Sequence, residues 1–272
     1  MTDPRERIHY YDVGDNYDTK DPFKKQAQQT AQSTDDNLRR HGFSEVASSR
    51  GESAYVWKEG NTYRAFNVEG LGTQNLVADN FANFAGRTHY ETIGYNTVAS
   101  IVNDLASVGA KPLVVGAYWA VEDNSWLSKQ HAFDLISGWK SGCDDAEASW
   151  AGGETPTLKG VIVPDTVDLT GASTGIIGPE YRYLNDGRIK EGDRIILLRS
   201  TGVNMNGVSP PAQDASASSQ AALHPDIKSK ACCLLSHELS SIAQYAPTTR
   251  GFAPTETKSF TIDATVLYPI VS

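Results

Sequence analysis

The feature that most limits the possible folds is a change of hydrophobic period between Tyr90 and Trp119. From Tyr90 to Val108 the apolar residues Ile93, Val98, Ile101, Val102, Leu105 and Val108 recur at helical spacing, which predicts a helix with one face packed inward. Gly109-Ala110-Lys111-Pro112 then interrupts that period, and Leu113-Val114-Val115-Gly116-Ala117-Tyr118-Trp119 follows as an apolar run of buried-strand type. A one-faced helix that feeds directly into a buried strand has to bury its stripe against a sheet. The expected fold is therefore α+β, or α/β layered, with helices on a sheet.

The flanking sequence fits that expectation. Tyr55-Val56-Trp57 and Tyr63 to Val68 read as two strands joined by a tight turn at Gly60-Asn61, the second delivering Glu69 into the loop Gly70-Leu71-Gly72-Thr73. Asn75 to Phe84 reads as a helix stopped by Gly86. Further on, a helix is expected from Trp126 to Trp150, a turn at Gly152-Gly153-Glu154-Thr155, and strands at Val167 to Ile177 and Arg194 to Arg199. A Gln- and Thr-rich helix is expected near the start, from about Asp21 to His41. Toward the end, a Pro/Ala/Ser-rich loop is expected at Ser209 to Ser219, a helix at Asp226 to Tyr245 and a strand at Ser259 to Val271. These readings divide the chain into a mobile N-terminal segment (1–25), a main domain (26–182) and a partial C-terminal domain (190–272).

Composition narrows the function. Of 272 residues, 39% are hydrophobic, enough for a substantial core. Twenty-four basic against thirty-three acidic residues give a net charge of -9 with no Lys/Arg-rich block, so no nucleic-acid partner is expected. The polar start lacks the apolar region of a signal peptide, and no run reaches membrane-spanning length; together with only three cysteines this predicts a cytoplasmic protein with no membrane partner.

Carboxylates and amides stand at the ends of consecutive units: Glu69 after the second strand, Asn103 and Asp104 late in the long helix, Glu154 beside Gly152-Gly153. Steps of seven and eight residues bring Asn96, Asn103 and Asp104 to neighbouring angles on that helix. Hard cations prefer such oxygen ligands and bridge phosphate oxygens. Glycines at 70, 72, 152 and 153 let backbone N–H groups approach an anion.

In their order, these segments resemble aminoimidazole ribonucleotide (AIR) synthetase, or phosphoribosylformylglycinamidine cyclo-ligase, and its wider superfamily of ATP-using relatives. The family's D-G-V-G-T-K loop is matched by Glu69 to Gln74, and its G-x-D-x-V-A-x-x-V-N-D-L helix by Gly94 to Leu105. Its G-A-x-P-L segment is matched by Gly109 to Leu113, and its G-G-E-T by Gly152 to Thr155. Ser200 to Ser209 is a weaker echo of S-S-G-x-H-S-N-G-Y-S, and Asp263 to Tyr268 resembles the family's D/A-P-T-x-I-Y stretch.

The resemblance implies an AIR synthetase-like N-terminal domain with sheet-mediated dimerisation, followed by a C-terminal domain cut short. It implies ATP and Mg2+ as cofactors, a nucleotide and a small ribonucleotide as partners, and a homodimer. By position, Gly70, Gly72, Thr73, Gln74, Asn103, Gly152, Gly153 and Thr155 would contact ATP and its phosphates. Glu69, Asp104 and Glu154 would hold the metal, with Asn96, Asn204 and Asn206 behind them. The implied reaction is ATP-dependent closure of formylglycinamidine ribonucleotide to the imidazole. Departures from the pattern are Glu69 for Asp, Gln74 for Lys, Asn96 for Asp and Asn204 for His. They give an alternative: a paralogue that keeps the fold and dimer with impaired catalysis.

Other readings fare worse. Gly171-Ala172-Ser173-Thr174-Gly175 spells a nucleophile elbow, but Ile176-Ile177 continues as strand where that motif needs a helix. Cys232, Cys233 and His237 lack the second ligand pair of a structural zinc site. No G-x-x-x-x-G-K-[ST] loop occurs. Tyr118, Trp119, Trp126, Trp139 and Trp150 are expected to pack in core and interface.

Overall fold

A computed structural model of the chain describes residues 14–179, 182–185, 187 and 189–193. The expectations for 194–272, including Asn204, Asn206 and the C-terminal domain, lie outside the described residues, as does the stretch 1–13.

The chain forms α1 (Tyr17–Gln32), α2 (Asp35–Arg39), β1 (Ser44–Glu45), β2 (Tyr55–Glu59), β3 (Thr62–Gly70), α3 (Gln74–Ala85), α4 (Tyr90–Ser107), β4 (Lys111–Val121), α5 (Gln130–Asp145), β5 (Ser149–Glu154) and β6 (Val167–Ile177). The six strands make one mixed sheet in the order β1-β2-β3-β6-β4-β5. All neighbours are antiparallel except β4 and β5, which the crossover through α5 makes parallel. The last strand, β6, thus inserts between β3 and β4 and carries ladders on both sides. Its side chains alternate strictly between buried and partly exposed from Val167 to Ile177, the signature of a strand with one covered face.

The covering layer is α4 and α5, which pack on each other, with α4 also lying on β3, β6 and β4. Between helices and sheet sits a core of Ile93, Val98, Ile101, Val115, Leu135, Trp139 and Leu169. A smaller cluster, Ala54, Val56, Ala65, Leu105, Val108, Ala110 and Ile177, extends it toward the hairpin. Trp119 and Trp139 meet edge to face at 5.3 Å, so the buried tryptophans pack as expected. Tyr118 instead points to the other face.

That packing needs backbone contact. A Cβ on Gly138 of α5 would lie 1.7 Å from the Glu91 carbonyl oxygen of α4, and one on Gly94 would lie 2.4 Å from that of Leu135. On the sheet side a Cβ on Gly171 would lie 2.4 Å from Ile101 Cδ1. Helix α4 is therefore held between two glycine-bearing surfaces. On the opposite sheet face Phe66 borders a groove lined by Ala31 of α1 and Leu38 of α2, while Val68 is 60% exposed and Val114 and Tyr118 are also exposed.

Several local expectations change. The first helix begins at Tyr17, taking in residues 17–25 of the segment read as mobile, because Asn16 caps it by accepting from the Asp18 N–H at 2.9 Å. It also stops at Gln32, and α2 follows as a separate turn. The single helix expected over Trp126 to Trp150 is a short 3-10 turn, Asn124–Ser128, then α5; Trp150 belongs to β5. Gly152-Gly153-Glu154 is strand rather than turn, since Gly153 and Glu154 pair with Ala117 and Tyr118 of β4.

Gly138→Ala is expected to lower stability by about 2–4 kcal/mol through forced separation of α4 and α5. The neighbouring exposed Ser137→Ala should change it by less than about 0.5 kcal/mol, both read by urea denaturation. Equal stabilities would contradict the contact.

Candidate functional site

The end of β3 and the last turns of α4 bring several predicted residues together. Alternation on β3 sends Ala65 and Asn67 to the covered face, beneath α4. Asn67 Nδ2 donates to the Ile101 carbonyl at 2.9 Å and to Asp104 Oδ2 at 3.3 Å, while Ser173 Oγ donates to Asn67 Oδ1. Asn67 and Ser173 are both buried. Burial pushes the Asp104 carboxyl up to about 6; the hydrogen bond from Asn67 opposes this, and the negative charge of Glu69 adds to it. Glu69 and Asp104 therefore share one electrostatic environment.

The loop after Glu69 runs into α3. Thr73 occupies the N-cap position, but its hydroxyl makes no capping bond and is buried with no hydrogen-bond partner among the described residues. The first N–H groups of a twelve-residue helix accompany it, a combination that suits an anion. Gln74, next in sequence, accepts at Oε1 from Asn96 Nδ2 at 3.2 Å, and both side chains are buried. The positions where the resembled family has Lys and Asp are thus occupied here by two neutral amides bonded to each other. Losing one charge of each sign leaves the net charge of the site unchanged.

Glu154 does not join this group. Glu69 pairs with Gly171, Gly171 with Ala117, and Ala117 with Gly153, so β5 lies three strands from β3. At about 4.8 Å per strand that is roughly 14 Å, too far for one ion to be shared. Among the described residues no group of three or more His, Cys, Asp or Glu side chains is placed to hold a metal. The residues present still fit Mg2+, which binds through one or two carboxylates and completes its shell with water and phosphate oxygens. Glu69 and Asp104 supply that kind of carboxylate pair.

A second buried polar group secures α3. Asn75 Nδ2 donates to the Val167 carbonyl at 2.8 Å, one turn before Asp79. Burial raises the Asp79 carboxyl to about 6; the nearby Tyr90 hydroxyl and the charge of Lys129 oppose this, and Asp165 adds to it. Tyr90 is itself buried and held well above its ordinary range by that burial and by Asp79. Neither Asp79 nor Asn67 belongs to a recognised motif. The available signal for Asn67 and Ser173 was a polar residue on the buried phase of a strand. Ser173 sits in mid-strand, bonded to Asn67, so the elbow reading has no structural basis.

Residues 51–177 match the family model described as AIR synthase related protein, N-terminal domain. Over 142 residues the chain is 35% identical to phosphoribosylformylglycinamidine cyclo-ligase of Carboxydothermus hydrogenoformans, covering 52% of this chain and 38% of the relative. Over 148 residues it is 36% identical to the enzyme of that name from Thermoplasma volcanium, covering 54% and 40%. Among solved structures, thiamine-monophosphate kinase from Stenotrophomonas maltophilia K279a aligns at TM-score 0.45 and 20% identity, over 68% of this chain and 53% of that one. The segment 51–177, which carries the mixed sheet, the glycine loop and the Asn-Asp helix end, is thus similar to the N-terminal domain of AIR synthase related proteins. That similarity is to the AIR synthetase-related family and covers just under half of the chain. It spans about two fifths of the length of the curated relatives it matches.

The pKa of Asp79 sets a pH dependence of stability. Its folded value, about 6, exceeds the ordinary 3.8, so folding favours the protonated form. The contribution is complete below the unfolded value and is lost as pH rises through about 6, up to about 2 kcal/mol after allowing for partial exposure. Asp79→Asn should therefore match wild type near pH 4 and exceed it in denaturant midpoint at pH 8. A pH-independent difference would contradict the assignment.

Proposed function

We propose that the chain binds Mg2+ and ATP through the Glu69–Asp104 region and serves the phosphoribosylformylglycinamidine cyclo-ligase reaction of purine biosynthesis. The observation that carries this reading is that Glu69 and Asp104 feel one another's charge, and that Glu69 leads within four residues to a helix N-terminus whose capping hydroxyl has no partner among the described residues. The names of the relatives over 51–177 support the reaction class.

In this reading Glu69 and Asp104 hold the cation, and Gly70, Gly72 and Thr73 present N–H and hydroxyl groups to the phosphates. Mg2+, when bound there, would supply positive charge to offset that of the phosphates. Asn103 stands beside Asp104, while Gln74 and Asn96 brace the start of α3 against α4. Gly152, Gly153, Glu154 and Thr155, three strands away, would meet the far end of an extended ligand. The ribonucleotide then needs its formyl-amide oxygen turned into a leaving group by phosphoryl transfer, after which an internal nitrogen closes the ring. The protein's part in such chemistry is positioning and electrostatic stabilisation.

Exposed Phe66 and Val68 on β3, and Val114 and Tyr118 on β4, two strands that flank β6, support the homodimer as part of this proposal. Among the described residues no helix is long and apolar enough to cross a membrane.

Incubating the full chain with formylglycinamidine ribonucleotide, ATP and Mg2+ should give ADP and aminoimidazole ribonucleotide in equal amounts. Absence of both at high protein concentration overturns the activity. Asp104→Asn should weaken Mg2+-dependent ATP binding at least tenfold by calorimetry with an unchanged circular dichroism spectrum. Unaltered affinity would remove Asp104 from the site.

A further inference from the structure

We infer that Asn67 is a positioning residue for Asp104, fixing the direction in which that carboxylate meets a cation carried by a nucleotide's phosphates. The inference rests on the reading of the site proposed above.

The argument begins with an asymmetry in the amide. Asn67 lies on the covered phase of β3, and its side chain has two distinct neighbourhoods. On one side Ser173, from the adjacent strand β6, donates its hydroxyl to Oδ1. On the other, Nδ2 faces two acceptors of α4, the Ile101 carbonyl and the Asp104 carboxylate. Reversing the amide would set Oδ1 against both acceptors and Nδ2 against the serine. A hydroxyl can rotate to suit a reversed amide, but a carbonyl and a carboxylate can only accept. The orientation is therefore fixed by α4, and Ser173 supports it.

The consequence falls on Asp104. Its Oδ2 is occupied by a donor that is bonded to two secondary-structure elements other than Asp104's own side chain: the β6 strand through Ser173, and the backbone of α4 through Ile101. With that oxygen held, the carboxylate plane is set relative to the sheet and to Glu69. A neutral donor does this without neutralising the carboxylate, whereas a lysine or arginine at the same place would compete with a bound cation. Donors behind ligating carboxylates orient them and contribute measurably to metal affinity.

The full chain is titrated with a non-hydrolysable ATP analogue, with Mg2+ and with EDTA, for wild type, Asn67→Ala, Ser173→Ala, Asp104→Asn and the Asn67→Ala/Asp104→Asn double variant. Asn67→Ala is expected to lose about tenfold in affinity with Mg2+, and Ser173→Ala about threefold, while metal-free affinity stays the same. In the Asp104→Asn background, Asn67→Ala should have no further effect. A merely structural role would lower affinity equally with and without Mg2+, and would persist in the double variant; either result overturns the inference. If Asn67→Ala does not fold, Ser173→Ala carries the same comparison. No Mg2+-dependent binding by wild type overturns the reading of the site itself, whereas wild-type binding that Asn67→Ala and Ser173→Ala leave intact overturns only this inference.

Discussion

Helix α4 can lie where it does because three of its contacts are made to or through backbone. Glycines 94 and 138 let α4 and α5 touch without side chains between them, and Gly171 lets Ile101 rest on the β6 backbone. Protein interiors are packed densely enough that one added methyl at such a contact moves a whole element. The position of Asp104 follows from this, since it sits one turn beyond Ile101 on the same helix. So does the depth at which Asn67 reaches it from β3.

The resulting site is polar in an unusual balance. The groups that set the Asp104 carboxyl are burial, the Asn67 amide and the Glu69 charge, none of them a cation. A half-buried carboxylate with no cation beside it among the described residues carries a desolvation cost, which a divalent ion bound with phosphate would relieve. Gln74 and Asn96 extend the same theme, joining α3 to α4 through an amide pair in place of the opposite charges of the resembled motif. Two neutral amides thus hold the start of α3 to α4 where the resembled motif has one charge of each sign.

Much of this was legible in the chain. The change from helical to alternating period marked α4 and β4, Gly86 stopped α3 in the left-handed conformation at φ 66°, and Val167–Ile177 was read with its observed bounds. Pattern failed where tertiary context decides. Trp150 was absorbed into a helix because its apolar neighbours fit either period, yet pairing with Val115 makes it strand. The insertion of β6 between β3 and β4 has no local sequence signal, and from it follow both the Asn67–Ser173 contact and the distance of Glu154 from Glu69. Motif order placed Glu154 beside the other two carboxylates, whereas the sheet register sets it three strands away.

The measurement that bears most directly on the proposed cation site is a crystal structure of the full chain with a non-hydrolysable ATP analogue and Mn2+, located by its anomalous signal. The account predicts a manganese peak at coordination distance from carboxylate oxygens of both Glu69 and Asp104, with phosphate oxygens completing the shell and the Thr73 hydroxyl directed at the nucleotide. A well-occupied manganese–nucleotide complex bound elsewhere, with Glu69 and Asp104 uncoordinated, would contradict it.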